Sequence, residues 1–314
     1  MELSLQCLLR KTVQEGEIMA LIPPFFLNTV VAIGVGDDPN ERHWIGTGFL
    51  LGRFLDELPD NKKRYQILLI TNKHVLINLK VAYIKFNSAQ DPKSKDYKIP
   101  LISRNGRPIW IGHPSITVDV AAMLLNPAFL KAEGSIFEYF RSDEHILNKE
   151  KMIANGITEG DPIFVLGFPI GLVAKERQYV ICRAGCLARV RDFLENRTNE
   201  FLIDAPVFPG NSGNPVILCP ASVAIQGTSN IGNANLIGMV KSYVPYKDIA
   251  ISQQTQQARI IFEENSGLAA VESVDSIIET VELVIKRVKN RDDQKKRRVK
   301  ERLEKVISEQ SNQR

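Results

Sequence analysis

The run Phe208-Pro209-Gly210-Asn211-Ser212-Gly213-Asn214-Pro215 sets one serine among small residues. Glycines on both sides let the chain bend sharply enough to present the hydroxyl, and they leave neighbouring backbone N–H groups unshielded. The N–H groups of Gly210 and Ser212 can converge on one oxygen and form an oxyanion hole. The same residue types also make an ordinary turn between strands, and a serine hydroxyl is a weak nucleophile without a base. Four histidines are available: His43, His74, His113 and His145. His74 follows the apolar run YQILLI within TNKHV, so a rigid element would hold it. His43 and His113 lie in turn-like polar surroundings, and His145 lies in a charged stretch. A base of this kind needs an orienting acid. Asp119 directly precedes the apolar run VAAMLL, where a buried strand is expected and a carboxylate must be paired. The alternative for Asp119 is a strand-end turn aspartate.

The elements that must position these residues are short. FLNTVVAIGVG, WIGTGFLLG, YQILLITN, VAYIKFN, RPIWIGH and DVAAMLL read as strands, rich in Val, Ile and aromatics and separated by turn signals. After a charged, mixed stretch the rhythm resumes with DPIFVLGFP, QYVICRAGCLARV, EFLIDAPV, NPVILC, NLIGMVKSYV and ARIIFEE. No long helical runs alternate with them, which disfavours a parallel βαβ sheet and favours a barrel or sandwich. The expected organisation is an N-terminal extension (1–25), a first barrel with His and Asp (26–130), a linker (131–159), a second barrel with Ser (160–271), and a C-terminal helix and basic tail (272–314). Ile277, Val281, Val284 and Val288 follow one face of a helix, and Val299, Leu303 and Val306 hint at a second short amphipathic stretch.

The chain has 314 residues, 44% of them hydrophobic and 24% charged, which excludes a wholly disordered protein. Its net charge of +4 is uneven. Residues 286–314 hold twelve basic and five acidic side chains, so the tail is strongly positive and the rest slightly negative. An anionic partner, nucleic acid or a membrane surface, would therefore attach to the tail; a solvated charged helix is the plainer reading. Cys7, Cys182, Cys186 and Cys219 are too few for a disulfide framework, and the spacing of Cys182 and Cys186 has no second pair to make a zinc site. Reduced thiols in a cytoplasmic protein are expected, with no metal and no cofactor. Met19 to Gly36 is the most apolar stretch, but Pro23, Pro24 and Asn28 interrupt it, so no membrane span is expected.

TNKHV, then VDVAAMLL, then FPGNSGNP resemble the His, Asp and Ser boxes of trypsin-like (chymotrypsin-fold) serine proteases, in that family's order. WIGTGFLL (44–51) resembles the strand before the histidine. GDPIFVLGFPIGL (160–172) and IDAPVFPGNSGNP (203–215) resemble the HtrA/Deg-like branch. LIGMVKSY (236–243) is similar to the strand that lines the substrate cleft, and the likeness covers about residues 26–288. It implies an all-β fold of two six-stranded antiparallel β-barrels with a C-terminal helix and charged tail. It implies a serine endopeptidase acting on a protein or peptide: Ser212 as nucleophile, His74 as base, Asp119 as orienter, Gly210 and Ser212 N–H as oxyanion donors. By the same register Pro206 would lie at the base of the substrate pocket, with Lys241, Ser242, Tyr243 and Gly267 along its walls. No carboxylate stands at that base, so strong selection for Lys or Arg is not expected.

The departures from the family pattern matter. Asn211 replaces an Asp that pairs with a freshly cut N-terminus in digestive relatives, so that activation is not expected. Val75 stands where secreted relatives often carry Cys, and Asn214 replaces a usual Gly. Too few residues follow 288 for the peptide-binding PDZ domain of HtrA-like relatives. The competing readings are a catalytically silent binding or scaffold protein on the same fold, and a tail-mediated nucleic-acid or membrane-surface binder.

Overall fold

In the computed structural model, the description covers residues 21–220 and 232–311. Most of the expected N-terminal extension, Cys7 included, lies outside it. Fifteen strands and five α-helices follow a short 3-10 turn at Pro24–Thr29. The first unit contains β1 (Val30–Val35), β2 (His43–Glu57), β3 (Lys63–Thr71), α1 (Lys73–Leu76), β4 (Val81–Ser88), β5 (Lys95–Pro100), β6 (Ile111–Gly112) and β7 (Ala121–Leu124). Next come α2 (Pro127–Ala132), β8 (Ser135–Ile136), β9 (Phe140–Arg141) and α3 (Lys149–Ala154). The second unit contains β10 (Pro162–Gly167), β11 (Ile181–Arg189), α4 (Arg191–Leu194), β12 (Glu200–Asp204), β13 (Pro215–Leu218), β14 (Asn235–Ile251) and β15 (Ala258–Ser273). Helix α5 (Val274–Ser311) follows.

The second unit is a closed barrel in the order β10-β11-β12-β15-β14-β13, every pair antiparallel. Its interior is aliphatic, with Ile163, Val165, Leu187, Ile203, Val216, Val240 and Val271 buried. Closure leaves no bare strand edge around the barrel wall.

The first unit differs from the expected six-stranded barrel. Its sheet runs β5-β4-β1-β2-β3-β7-β6 and stays open between β5 and β6. Proline explains the gap. Pro100 ends β5 and Pro108 precedes β6, and neither has an N–H to extend a ladder. The isolated bridge between Ile102 and Pro108 and the bonds from Ile109 N–H to Leu101 O, 2.9 Å, and Ser103 N–H to Arg107 O, 2.8 Å, cross the opening. The residues expected as a linker add strands to this sheet: β8 pairs with β4, and β9 lies parallel to β2.

A third apolar cluster joins the units. Phe26, Phe49 and Phe140 of the first meet Leu236 and Met239 of the second, and α5 lays Val274, Ile277, Val281, Val284 and Ile285 onto them. Each fully buried aliphatic chain contributes about 2 kcal/mol, so the helix acts as a strap across the seam. Val288 is half-buried, and residues 289–299 of the helix beyond it are exposed. Its Lys, Arg and Gln are good helix formers, and Asp292 and Asp293 stand four residues before Lys296 and Arg297, a favourable spacing. Val299 is exposed; the side chains of Leu303 and Val306 lie outside the described residues. Among the described residues no helix is long and apolar enough to cross a membrane. Cys182, Cys186 and Cys219 form no disulfide, and burial pushes the Cys219 thiol up to about 12.

Glu159 secures the start of α4: its Oε1 accepts from Val190 N–H at 3.0 Å and Arg191 N–H at 3.1 Å. Chiefly the Val190 bond holds its carboxyl at about 2, against an ordinary 4.5. A depressed carboxyl stabilises the fold above its ordinary range, and that stability is lost as pH falls toward about 2. Melting temperature should therefore drop on acidification through this window, and Glu159→Gln should drop less steeply. Equal slopes for the two proteins would refute the role assigned to Glu159.

Candidate active site

The ladder between β3 and β7 puts Thr71 opposite Ala121. His74 lies three residues beyond the first and Asp119 two residues before the second, so one register brings both to the same end of the sheet. Past Thr71 the chain makes the single turn α1, pinned by buried Val75 and Leu76, which leaves the His74 side chain half exposed. Asn72 Nδ2 donates to Asp119 O at 2.8 Å, and Lys73 Nζ donates to Ser115 O at 2.9 Å, fastening the segment before β7. The Asp119 carboxylate then takes two groups of the same residue. Its Oδ1 accepts His74 N–H at 3.1 Å, and its Oδ2 is hydrogen-bonded to His74 Nδ1. With Nδ1 held by a carboxylate, a neutral imidazole keeps Nε2 free to accept a proton.

Ser212 comes from the other unit. Phe208-Pro209-Gly210-Asn211 forms a turn closed by Asn211 N–H to Phe208 O at 3.0 Å, with Pro at the second position and Gly210 at φ +93 in the third. This is the type II pattern, which needs glycine at that place. Ile170 N–H donates to Pro209 O at 2.8 Å. In a trans peptide the N–H points opposite its carbonyl, so Gly210 N–H is turned away from Ile170. Neither Gly210 N–H nor Ser212 N–H has a hydrogen-bond partner among the described residues. Thr47 of β2 props this loop, its hydroxyl donating to Gly210 O at 3.1 Å and its N–H to Ser212 O at 2.9 Å. Gly213, at φ +90, comes so close to Thr47 that a Cβ would stand 1.8 Å from its carbonyl oxygen. Asn214 is wholly buried, its amide lying over Gly167 in the room a missing Cβ leaves. Ser212 Oγ donates a long bond, 3.5 Å, to Lys241 O, and among the described residues no hydrogen bond joins it to His74.

Three further charged residues adjoin Asp119. Glu272 on β15 is 1% exposed, and its Oε1 accepts Asp119 N–H at 2.8 Å. Lys241 Nζ lies 3.1 Å from that same oxygen and 2.7 Å from Glu200 Oε2, and it donates to Thr117 O at 2.8 Å. Burial raises the Glu272 carboxyl, opposed by the Asp119 N–H and Lys241. Burial pulls Lys241 down, but Glu200 and Glu272 outweigh it, so the ammonium is held in its charged form. A cavity of about 860 Å³ opens beside them, lined by His74, Asp119, Thr117, Glu200, Lys241 and Glu272 among others. The signal was in the sequence: a Glu in LAAVES and a Lys in GMVKSY interrupt apolar strands, and buried charges of opposite sign demand one another.

The other expected pocket residues lie on or beside β14 and β15. The Lys241 side chain reaches Thr117 O and Glu272, whereas Ser242 and Tyr243 pair along β14 with Ala270 and Ala269 of β15. Tyr243 OH donates to Glu263 Oε1 at 3.2 Å. Pro206 is exposed, with its carbonyl accepting from Arg183 at 3.1 Å, and Gly267 at φ +85 presents its carbonyl to Ala205 N–H. The remaining histidines are occupied by structure: His113 Nε2 meets Glu279 of α5 at 2.9 Å, His43 lies exposed on β2, and His145, its pKa lowered by burial, stands against Phe25 and Phe26.

No family model matches the sequence, and no curated protein matches it. Among solved structures, the chain is similar to the apo protease domain of MamO from Magnetospirillum magneticum, at 12% identity over 82% of this chain and 97% of that one, with a TM-score of 0.41. It is also similar to the HtrA-type protease AlgW with a decapeptide, at 16% identity over 83% of this chain and 66% of that one, with a TM-score of 0.42. The chain's own architecture is a closed six-stranded barrel joined to an open antiparallel sheet and strapped by a C-terminal helix, consistent with the two-barrel organisation expected from the sequence.

Proposed function

We propose that this protein is a serine endopeptidase. The observation that carries the reading is the presence of two prepared halves: an imidazole fixed by Asp119, and a serine turn whose Gly210 and Ser212 N–H groups have no partners among the described residues. Ser212 Oγ would attack a peptide carbonyl while His74 Nε2 takes its proton. The collapsing tetrahedral adduct would give the acyl-enzyme, with His74 returning the proton to the leaving amine, and water would repeat the sequence to release the acid. Gly210 and Ser212 N–H would bear the negative oxygen, each such donor contributing about 3 kcal/mol to the transition state. Beyond Met239 the β14 edge beside Ser212 pairs with no strand among the described residues, so an extended peptide could add there. Pro206, Ser242, Tyr243 and Gly267 would set the preference next to the scissile bond, toward small or medium apolar side chains.

One observation favours the silent scaffold as the second reading: Ser212 Oγ is bonded to Lys241 O and not to the base. Turnover of peptides separates the two. Hydrolysis should be abolished by Ser212→Ala and reduced about 10⁴-fold by Asp119→Asn, which removes the charge that fixes the imidazole. Folded wild-type protein without activity on a broad peptide library, or activity that persists in Ser212→Ala, would refute the endopeptidase.

The charged cluster makes a separate prediction. Lys241→Met leaves Glu272 buried without its cation and should cost on the order of 3 kcal/mol of stability. Adding Glu272→Gln removes the orphaned charge while keeping an acceptor for Asp119 N–H, and should restore most of that loss. Chemical denaturation of the single and double variants decides it, and strict additivity would show that the two residues do not act as a pair.

A further inference from the structure

β14 and β15 run far past the barrel they belong to. Inside the barrel β15 is bonded to β14 on one side and, from Leu268 to Glu272, to β12 on the other. From Tyr246 to Glu264 the two strands continue alone as a ribbon, and among the described residues no other strand pairs with either edge there. The ribbon is apolar on both faces. Ile249, Ile251 and Ile261 occupy one, Tyr246, Ile260 and Phe262 the other, and all six are between 49% and 60% exposed or slightly more, with Ile261 at 62%. A two-stranded ribbon is marginal in water by itself, and an unpaired edge of β-branched and aromatic residues is a template for another strand.

The edge of β15 is complementary to itself. A two-fold axis perpendicular to the sheet pairs antiparallel strands without exchanging their faces, so each residue meets one from the same face. Centred on Ile261, it sets Ile261 against Ile261, Ile260 against Phe262, and Arg259 against Glu263. Apolar groups thus meet apolar groups, flanked at each end by an opposite-charge pair. Arg259 has no ion-pair partner among the described residues, while Glu263 already lies 3.4 Å from Lys247. Moving the axis one residue either way sets Arg259 or Glu263 against Ile261. On β14, an axis through Ile249 sets Lys247 against Ile251 and pairs no charges. We propose that the ribbon of residues 246–264 docks a second copy of this chain, edge to edge along β15 about Ile261, to make a four-stranded sheet.

Sedimentation velocity and cysteine cross-linking test this. The wild-type protein should be a dimer, and Ile261→Lys, with unchanged circular dichroism, should be a monomer at the same concentration. Ile261→Cys should form an intermolecular disulfide on mild oxidation, because directly opposed residues on paired strands have Cα atoms about 4.5–5.5 Å apart, within disulfide reach. Ile249→Cys, on the outer strand of the four, should not form it, and the wild type controls for the native cysteines. The proposal is overturned by a monomeric wild type at its highest soluble concentration, by a dimer that survives Ile261→Lys, or by cross-linking at 249 equal to that at 261. A different protein found paired along β15 in place of a second copy would overturn it too. The cross-linking result stands even where Ile261→Lys does not fold.

Discussion

Asp119 stands where β7 is about to enter the core, and a carboxylate there is tolerable only if it is paired. Three elements supply its partners. α1 gives the N–H and Nδ1 of His74, Asn72 grips its carbonyl, and Glu272 of the second unit takes its N–H. The Glu272 carboxylate is itself buried and brings Lys241, which brings Glu200. One carboxylate at a strand end therefore commits residues from both units to a single arrangement. Removing any member leaves a charge or a backbone group without a partner, which costs more than the contact contributes when made.

Each unit braces the other's part of the candidate site. Thr47 of the first sheet takes the carbonyls of Gly210 and Ser212 through its hydroxyl and N–H, and Glu272 of the barrel positions Asp119. Under this pair of cross-braces lies the apolar seam closed by α5. The geometry of the site thus depends on the seam as much as on the loops that carry the residues, since a shift between the units would separate the serine turn from the imidazole. The open first sheet fits this picture: its gap falls between β5 and β6, while β3 and β7, which lead to His74 and from Asp119, are paired through four residues.

Much of this was legible in the residues. Apolar runs of strand length located most of the strands, the helical spacing from Ile277 located α5, and FPGN named its own turn by putting Pro and Gly where a type II turn requires them. His74 and Asp119 could be chosen because each borders an apolar run that would hold it rigidly. What was not legible depends on long-range register. Nothing local says that Glu272 and Lys241 come together from neighbouring strands, or that the Lys241 ammonium lies 3.1 Å from the Glu272 carboxylate. The missing closure of the first sheet follows from Pro100 and Pro108, residues whose effect appears only once it is known which strands should have met. The segment after Ala132 was read as a linker because its strands are two residues long, too short to show a period.

In the proposed endopeptidase, the serine turn is reactive because of the His74–Asp119 pair. Reaction with a fluorophosphonate, read by intact mass and peptide mapping, tests it most directly because it needs no knowledge of the natural substrate. The account predicts one adduct per chain, on Ser212, formed far more slowly in Asp119→Asn and absent in His74→Ala. A folded protein that takes no adduct, or one labelled on Ser212 at the same rate without His74, would contradict it.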